Sequence, residues 1–203
     1  VTDEMLENAQ NLPDRWITYS RNYAAWRYMP VDEINQENVA RLEVAWAHRT
    51  DIGLGQFEVS AIVVNSRMFL STQNNHLIVV DPRTGEQIWR YDHTLPSGTL
   101  ACCGPVNRGV AVYGDRVYMG TLDAHLLCLD AATGDLIWDV EVGDTSLKYS
   151  ITGAPLVVDG KVLTGVGGGE YGIRGFIAAY DAMSGEEVWR AYTIQGEGEQ
   201  GKE

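Results

Sequence analysis

The chain has 203 residues, 45% of them apolar and 21% charged, an ordinary globular composition with room for a substantial core. Fifteen basic against 28 acidic residues leave a net charge of −13, which argues against a nucleic-acid groove or an anionic lipid surface, since both need Lys and Arg density. A cationic partner, including a cationic redox protein steered by the field, fits that charge better. No apolar run approaches the roughly twenty residues of a membrane span, so no membrane span is expected. Val1-Thr2-Asp3-Glu4 carries neither the basic nor the apolar region of a secretory signal; the expectation is a cytosolic chain or one whose signal has been removed.

In chain order, the first expected structural feature is a strand around Trp46. Then comes a unit with strands at 62–64, 68–72, 76–80 and 87–91. Its first hairpin, Val64-Asn-Ser-Arg-Met68, recurs as Tyr113-Gly-Asp-Arg-Val117 and Val158-Asp-Gly-Lys-Val162; Asn and Gly-containing pairs supply the positive φ that such turns need. Its second turn, Asp81-Pro-Arg-Thr-Gly-Glu-Gln-Ile-Trp89, recurs as Asp130–Trp138 and Asp181–Trp189, a pattern D-x-x-[TS]-G-x-x-[IV]-W whose Trp residues lie 49 and 51 positions apart. Four short antiparallel strands per period of about 50 residues are the signature of a β-propeller. The expected fold is therefore all-β, and the Trp rings are expected to bridge adjacent blades. Three full units and one strand fall short of the roughly four to eight blades that close a propeller. Residues 1–203 are thus expected to be the N-terminal part of a single propeller domain, completed by further chain or by a second polypeptide. The Gly- and Glu-rich stretch 196–203 is expected to be a loop or linker.

Function on repeat scaffolds gathers where the period breaks. From hairpin to motif Asp the spacing is 17 residues in the first two units and 23 in the third, the excess falling at Gly165–Gly175. This Gly-dense loop carries Glu170, which is either a hard-metal ligand or the partner of Arg174. The second break is Ala101-Cys102-Cys103-Gly104-Pro105. Neighbouring Cα atoms about 3.8 Å apart sit below the usual disulfide range, so the pair is either two thiols in a turn or a strained ring of the kind kept at functional sites. Cys128, in an apolar strand, reads as an inert buried thiol. His76 and His125 share one repeat position and read as structural. The four His show no ligand spacing, and no G-x-S-x-G elbow, dinucleotide fingerprint or haem-attachment motif is present.

Several motifs together carry a resemblance: the D-x-x-T-G-x-x-x-W repeats, Cys102-Cys103 followed by Asn107-Arg108-Gly109, and Gly-Gly-Glu170-Tyr-Gly-Ile-Arg-Gly. The opening Trp16-Ile-Thr-Tyr-Ser-Arg-Asn-Tyr-Ala-Ala-Trp26 and Ile34-Asn35…Asn38-Val-Ala-Arg-Leu42…Trp46 add to it. The chain resembles the quinoprotein alcohol dehydrogenases, eight-bladed propellers that carry pyrroloquinoline quinone (PQQ). The resemblance covers essentially the whole chain but only about the first third of a family member. It implies that Cys102 and Cys103 form a vicinal disulfide against one face of the quinone. It further implies that Glu58, Arg108 and Thr152 meet the quinone's polar edge, that Gly168 and Gly169 give close backbone contacts, and that Glu170 ligates Ca²⁺ or a lanthanide ion. Gly167 and Gly169 stand where some relatives have Ser and Ala. The implied reaction is oxidation of an alcohol to an aldehyde, with electrons passing to a c-type cytochrome in the periplasm. The Asp base is expected beyond residue 203, so no catalytic residue is assigned in this chain. The competing expectation is a non-catalytic propeller of the same repeat superfamily, of the outer-membrane-assembly type, which would need neither the Cys pair nor the Glu170 loop.

Overall fold

The computed structural model describes residues 1–50, 57–99, 101 and 104–196. It contains three four-stranded antiparallel sheets, each built in simple sequence order. The first comprises β1 Ile62–Val64, β2 Arg67–Ser71, β3 His76–Val80 and β4 Gln87–Asp92. The second comprises β5 Ala111–Tyr113, β6 Arg116–Gly120, β7 His125–Asp130 and β8 Leu136–Glu141; the third, β9 Leu156–Val158, β10 Lys161–Gly165, β11 Phe176–Asp181 and β12 Glu187–Tyr192. These are three successive blades, as the repeats predict, with strand ends within one residue of expectation in the first. The expected strand around Trp46 does not form: no ladder joins 43–50 to a neighbour among the described residues. Extended chain becomes a strand only where an adjacent backbone takes up its N–H and C=O groups in a ladder, and here side chains supply the anchors: Trp46 to Pro82 O, His48 to Gly85 O, and Arg90 to Thr50 O.

The Asp, Thr or Ser, and Gly of the repeat motif each have a bond. The Asp side chain accepts from the backbone N–H groups two and three residues on: Arg83 and Thr84 for Asp81, Ala132 and Thr133 for Asp130, Met183 and Ser184 for Asp181, at 2.7–3.3 Å. The Thr or Ser hydroxyl then accepts from Glu86, Asp135 or Glu186, and the Gly N–H closes back on the Asp carbonyl. Gly85, Gly134 and Gly185 all have φ between 73° and 81°, which suits a residue without Cβ.

The same glycines receive the Trp rings of the preceding unit. A Cβ on Gly134 would lie 2.6 Å from the Trp89 ring, and Gly85 and Gly185 stand likewise against Trp46 and Trp138. The Trp46 and Trp89 indoles donate to Pro82 O and Ala131 O at 3.0 and 3.2 Å. Trp138 departs from this, because Ala182 O already accepts from the Tyr118 hydroxyl (3.0 Å) and from Arg116, and the indole N–H is left buried and unpartnered. The Trp rings therefore bridge blades as expected, and between them runs a core of Phe69, Leu77, Val79, Val117, Leu127, Leu129, Val162 and Tyr180.

The N-terminal segment covers the motif-turn end near the first two blades. Helix α1, Asp3–Glu7, is capped by Thr2, Tyr113 donates to Asp3 at 2.8 Å, and Trp16 bridges to Val63 beside β1. In a four-stranded meander the first and third turns leave at one end, and the second turn and the link to the next blade leave at the other. The motif turns occupy the first end. The opposite end carries 72–75, 121–124, 166–175, 93–110 and 142–155, with the run-in to β1.

Candidate cofactor site

Among the described residues, each one singled out for cofactor or metal binding (Glu58, Arg108, Thr152, Gly168, Gly169 and Glu170) lies in a connection at that second end. Three of them meet. Arg108 Nη2 stands 2.9 Å from Glu58 Oε2, and Nη1 donates to Thr152 Oγ1 at 3.0 Å. The main chain repeats the order: Ser60 N–H donates to Arg108 O at 3.1 Å, and Arg108 N–H donates to Thr152 O at 3.0 Å. The run-ins to β1, β5 and β9, the first strands of three consecutive blades, are thus laced side by side, with Arg108 in the middle. Gly109, at φ 144°, makes this approach possible, since a Cβ there would come within 3.2 Å of Ser60 O and 3.3 Å of Ala154.

The third-blade loop joins the same lacing. The link from β10 to β11 runs ten residues (166–175) where the first two blades use four (72–75, 121–124), which accounts for the longer spacing. Gly167 pairs with Ser150 through two backbone bonds of 2.8 and 3.1 Å, two residues from Thr152. Gly168, at φ 124°, backs onto Lys148 O so closely that any Cβ would collide. The chain's own packing therefore requires Gly168. Gly169 differs, because a Cβ there would meet nothing within 4 Å. Glu170 follows in a single 3-10 turn, Gly169–Tyr171, and is exposed. The alternative partner, Arg174, is turned elsewhere: its guanidinium lies 3.8 Å over the Tyr192 ring and its Nε donates to Ile194 O at 2.8 Å.

The donor chemistry fits an anionic, oxygen-rich cofactor at Arg108. A guanidinium has five donors in a rigid fork; two are used on Glu58 and Thr152, and the side chain remains 36% exposed. Glu170 offers the oxygen that a hard cation takes. No group of three His, Cys, Asp or Glu able to hold a metal occurs among the described residues, so a cation at Glu170 needs ligands from a bound molecule or from residues outside those described. Cys102 and Cys103 lie outside the described residues. Cys128 is buried, and burial pushes its thiol up to about 11, which matches an inert role.

Sequence reasoning missed one polar pair at this end. His93 Nε2 lies 3.0 Å from both carboxylate oxygens of Asp123, with the side chains only 10% and 6% exposed. Burial works to raise the Asp123 pKa, but the His93 and Thr121 hydrogen bonds outweigh it and hold the carboxyl below the usual range. The pair ties the start of the 93–110 link to the 121–124 loop of the next blade. No spacing rule announces it. His76 and His125 pair within their own blades with Asp92 and Asp139, at 2.9 and 2.6 Å, as structural residues.

Residues 16–203 match the family described as glucose/ethanol/alcohol dehydrogenase, β-propeller domain, PQQ. The quinohemoprotein alcohol dehydrogenase ADH-IIG of Pseudomonas putida is 42% identical over 192 residues, 93% of this chain and 27% of that protein. Quinoprotein alcohol dehydrogenase PedH, also of Pseudomonas putida, is 38% identical over 196 residues, 96% of this chain and 33% of its own length. Among solved structures, ADHIIG of Pseudomonas putida superposes with a TM-score of 0.90 at 40% identity, covering 97% of this chain and 29% of that one. A europium-containing methanol dehydrogenase superposes with a TM-score of 0.87 at 37% identity, covering 93% and 34%. The chain therefore spans between about a quarter and a third of the length of these relatives.

Proposed function

The chain belongs to the PQQ-dependent glucose/ethanol/alcohol dehydrogenase β-propeller family, and on that premise we propose that it builds one side of the cofactor site of an alcohol-oxidising quinoprotein. The observation that carries this reading is Arg108 held between Glu58 and Thr152 where three blade run-ins converge. The family match and near-40% identity over most of the chain favour this reading over an assembly scaffold.

A bound pyrroloquinoline quinone with its metal supplies the acceptor for the two electrons an alcohol gives up on becoming an aldehyde. This chain's residues bind and orient. Arg108 offers charge-assisted donors to an anionic edge, and Glu58 and Thr152 hold its fork in one plane. Gly169 leaves space for close approach above the turn, and Glu170 contributes one oxygen ligand to Ca²⁺ or a lanthanide. By the family resemblance, Cys102 and Cys103, which lie outside the described residues, would form a vicinal disulfide and help hold the quinone. The base that takes the hydroxyl proton comes from residues outside this chain, an Asp by the family pattern. The electrons pass to a c-type cytochrome, in the periplasm.

The test uses the full-length protein carrying this sequence. Arg108→Ala is expected to weaken PQQ binding at least tenfold, read by titrating the cofactor-free protein with PQQ and following absorbance. Glu170→Gln is expected to lose the metal, read by elemental analysis, while the fold stays intact by circular dichroism. Unchanged PQQ affinity in Arg108→Ala would sink the reading.

A further inference from the structure

Arg108 is anchored through its side chain and its main chain, and the residue after it, Gly109, stands at φ 144°. Asn107 bridges the two. Its side chain is buried, at 2% exposure, and both ends are engaged: Nδ2 donates to Gly120 O at 2.8 Å, and Oδ1 accepts from Gly109 N–H at 3.1 Å. The side chain thus spans Arg108, gripping the residue after it and the Gly120 carbonyl of β6 in the same blade. Gly120 is itself a fixed point. A Cβ there would collide with Ile151, whose N–H donates to Thr121 O at 2.9 Å and whose chain neighbour is Thr152. A second buried amide, Asn75, donates to the same carbonyl at 3.4 Å and accepts from Leu122 N–H at 2.8 Å. The carbonyl of Gly120 is therefore a node joining the first-blade loop, the second blade's β6 and the run-in that carries Arg108.

We propose that Asn107 is a positioning residue for Arg108: by joining Gly109 N–H to Gly120 O, it sets the direction in which the guanidinium leaves the backbone toward Glu58 and Thr152. This rests on the cofactor reading of Arg108. The geometry separates Asn107 from an ordinary core amide. One of its bonds, from Gly109 N–H, spans the single residue Arg108, the other ties it to β6, and Arg108's own N–H and C=O are bonded to the run-ins of the neighbouring blades. With the flanking peptides fixed, the fork arrives pre-organised, and less rotational freedom is lost on binding.

The test is a double-mutant cycle in the full-length, cofactor-free protein titrated with PQQ. Asn107→Ala is expected to weaken PQQ binding about tenfold in the parent and to have no further effect, within about twofold, in the Arg108→Ala background. Asn107→Asp, nearly the same shape, keeps the acceptor for Gly109 and loses the donor to Gly120; at neutral pH it is expected to weaken binding similarly while leaving the circular dichroism of the cofactor-free protein unchanged. It also keeps the test usable if Asn107→Ala does not fold. Equal losses in both backgrounds, or no loss in Asn107→Asp, would overturn the positioning role alone. No effect of Arg108→Ala would overturn the cofactor reading, and the positioning role with it.

Discussion

Two donors, the Tyr118 hydroxyl and Arg116, separate the second blade junction from the first. Phe69 in β2 and Tyr118 in β6 hold the same repeat position, and only Tyr118 can donate to the carbonyl after the motif Asp. In the first junction Trp89 takes that carbonyl; in the second Tyr118 takes it, and the Trp138 N–H is buried unpartnered. A buried orphan donor costs about as much as a hydrogen bond contributes, so the two arrangements are close in free energy. Tyr118→Phe is therefore expected to change unfolding free energy by no more than about 1 kcal/mol, with Trp138 moving onto Ala182 O. Denaturant unfolding checks the energy and indole hydrogen exchange checks the move. A loss above about 2 kcal/mol would show that Trp138 cannot take over the bond. The same scale explains Gly168 and Gly169: adjacent glycines with unlike causes, one excluded from a side chain by Lys148 and the other facing open space.

The motif turns are elements with a pH signature. Asp130 is held below the usual carboxyl range by the N–H groups of Thr133 and Ala132, and Asp181 by those of Ser184 and Met183 with the Ser184 hydroxyl. A folded pKa below the unfolded value means stabilisation fully present above the unfolded pKa of about 3.9 and lost as pH falls through the folded one. The Asp130→Asn, Asp181→Asn double variant keeps the acceptor oxygens without titrating, so its Tm is expected to fall less than the parent's between about pH 4 and pH 2. An equal fall in both proteins would remove these turns as the cause. His76 adds a separate slope: burial pushes it down against the pull of Asp92, so its contribution is lost as pH falls below about 6.5. That loss is expected to persist in the double variant.

At the scale of the molecule, the outer face of the third blade has no neighbour among the described residues. Trp89 is 8% exposed on its turn, whereas Trp189, at the same motif position, is 41% exposed together with Val188, Tyr192 and Ile194. By analogy with Trp46, Trp89 and Trp138, which dock on successive Gly turns, we propose that Trp189 docks on the corresponding turn of a further blade in the full-length protein. There Trp189→Ala is expected to cost about 3–5 kcal/mol, as for a buried Trp. A cost under about 1 kcal/mol in denaturant unfolding of that protein would mean the ring stays at the surface.

The blades were legible in the sequence because their rules are local. An Asp, a Thr or Ser and a Gly within six residues close a turn by bonds among themselves, and alternating apolar residues do the rest; the strand ends of the first blade agree within a residue. The strand expected at Trp46 failed for the complementary reason, since a strand exists only with a partner backbone that local sequence does not specify. The cofactor site divides the same way. Its loop was visible as six extra residues, and its residues came from family resemblance, but their assembly was not legible. Glu58, Arg108 and Thr152 lie far apart in the chain and meet only because blades stack around one axis. His93 and Asp123 likewise pair across blades, and Asn107 reaches Gly120 in β6 of the blade it leads into. Repetition and turn chemistry act over a few residues and so can be read from order alone. The grip on Arg108 depends on distances between blades, which come into being only when the core has packed.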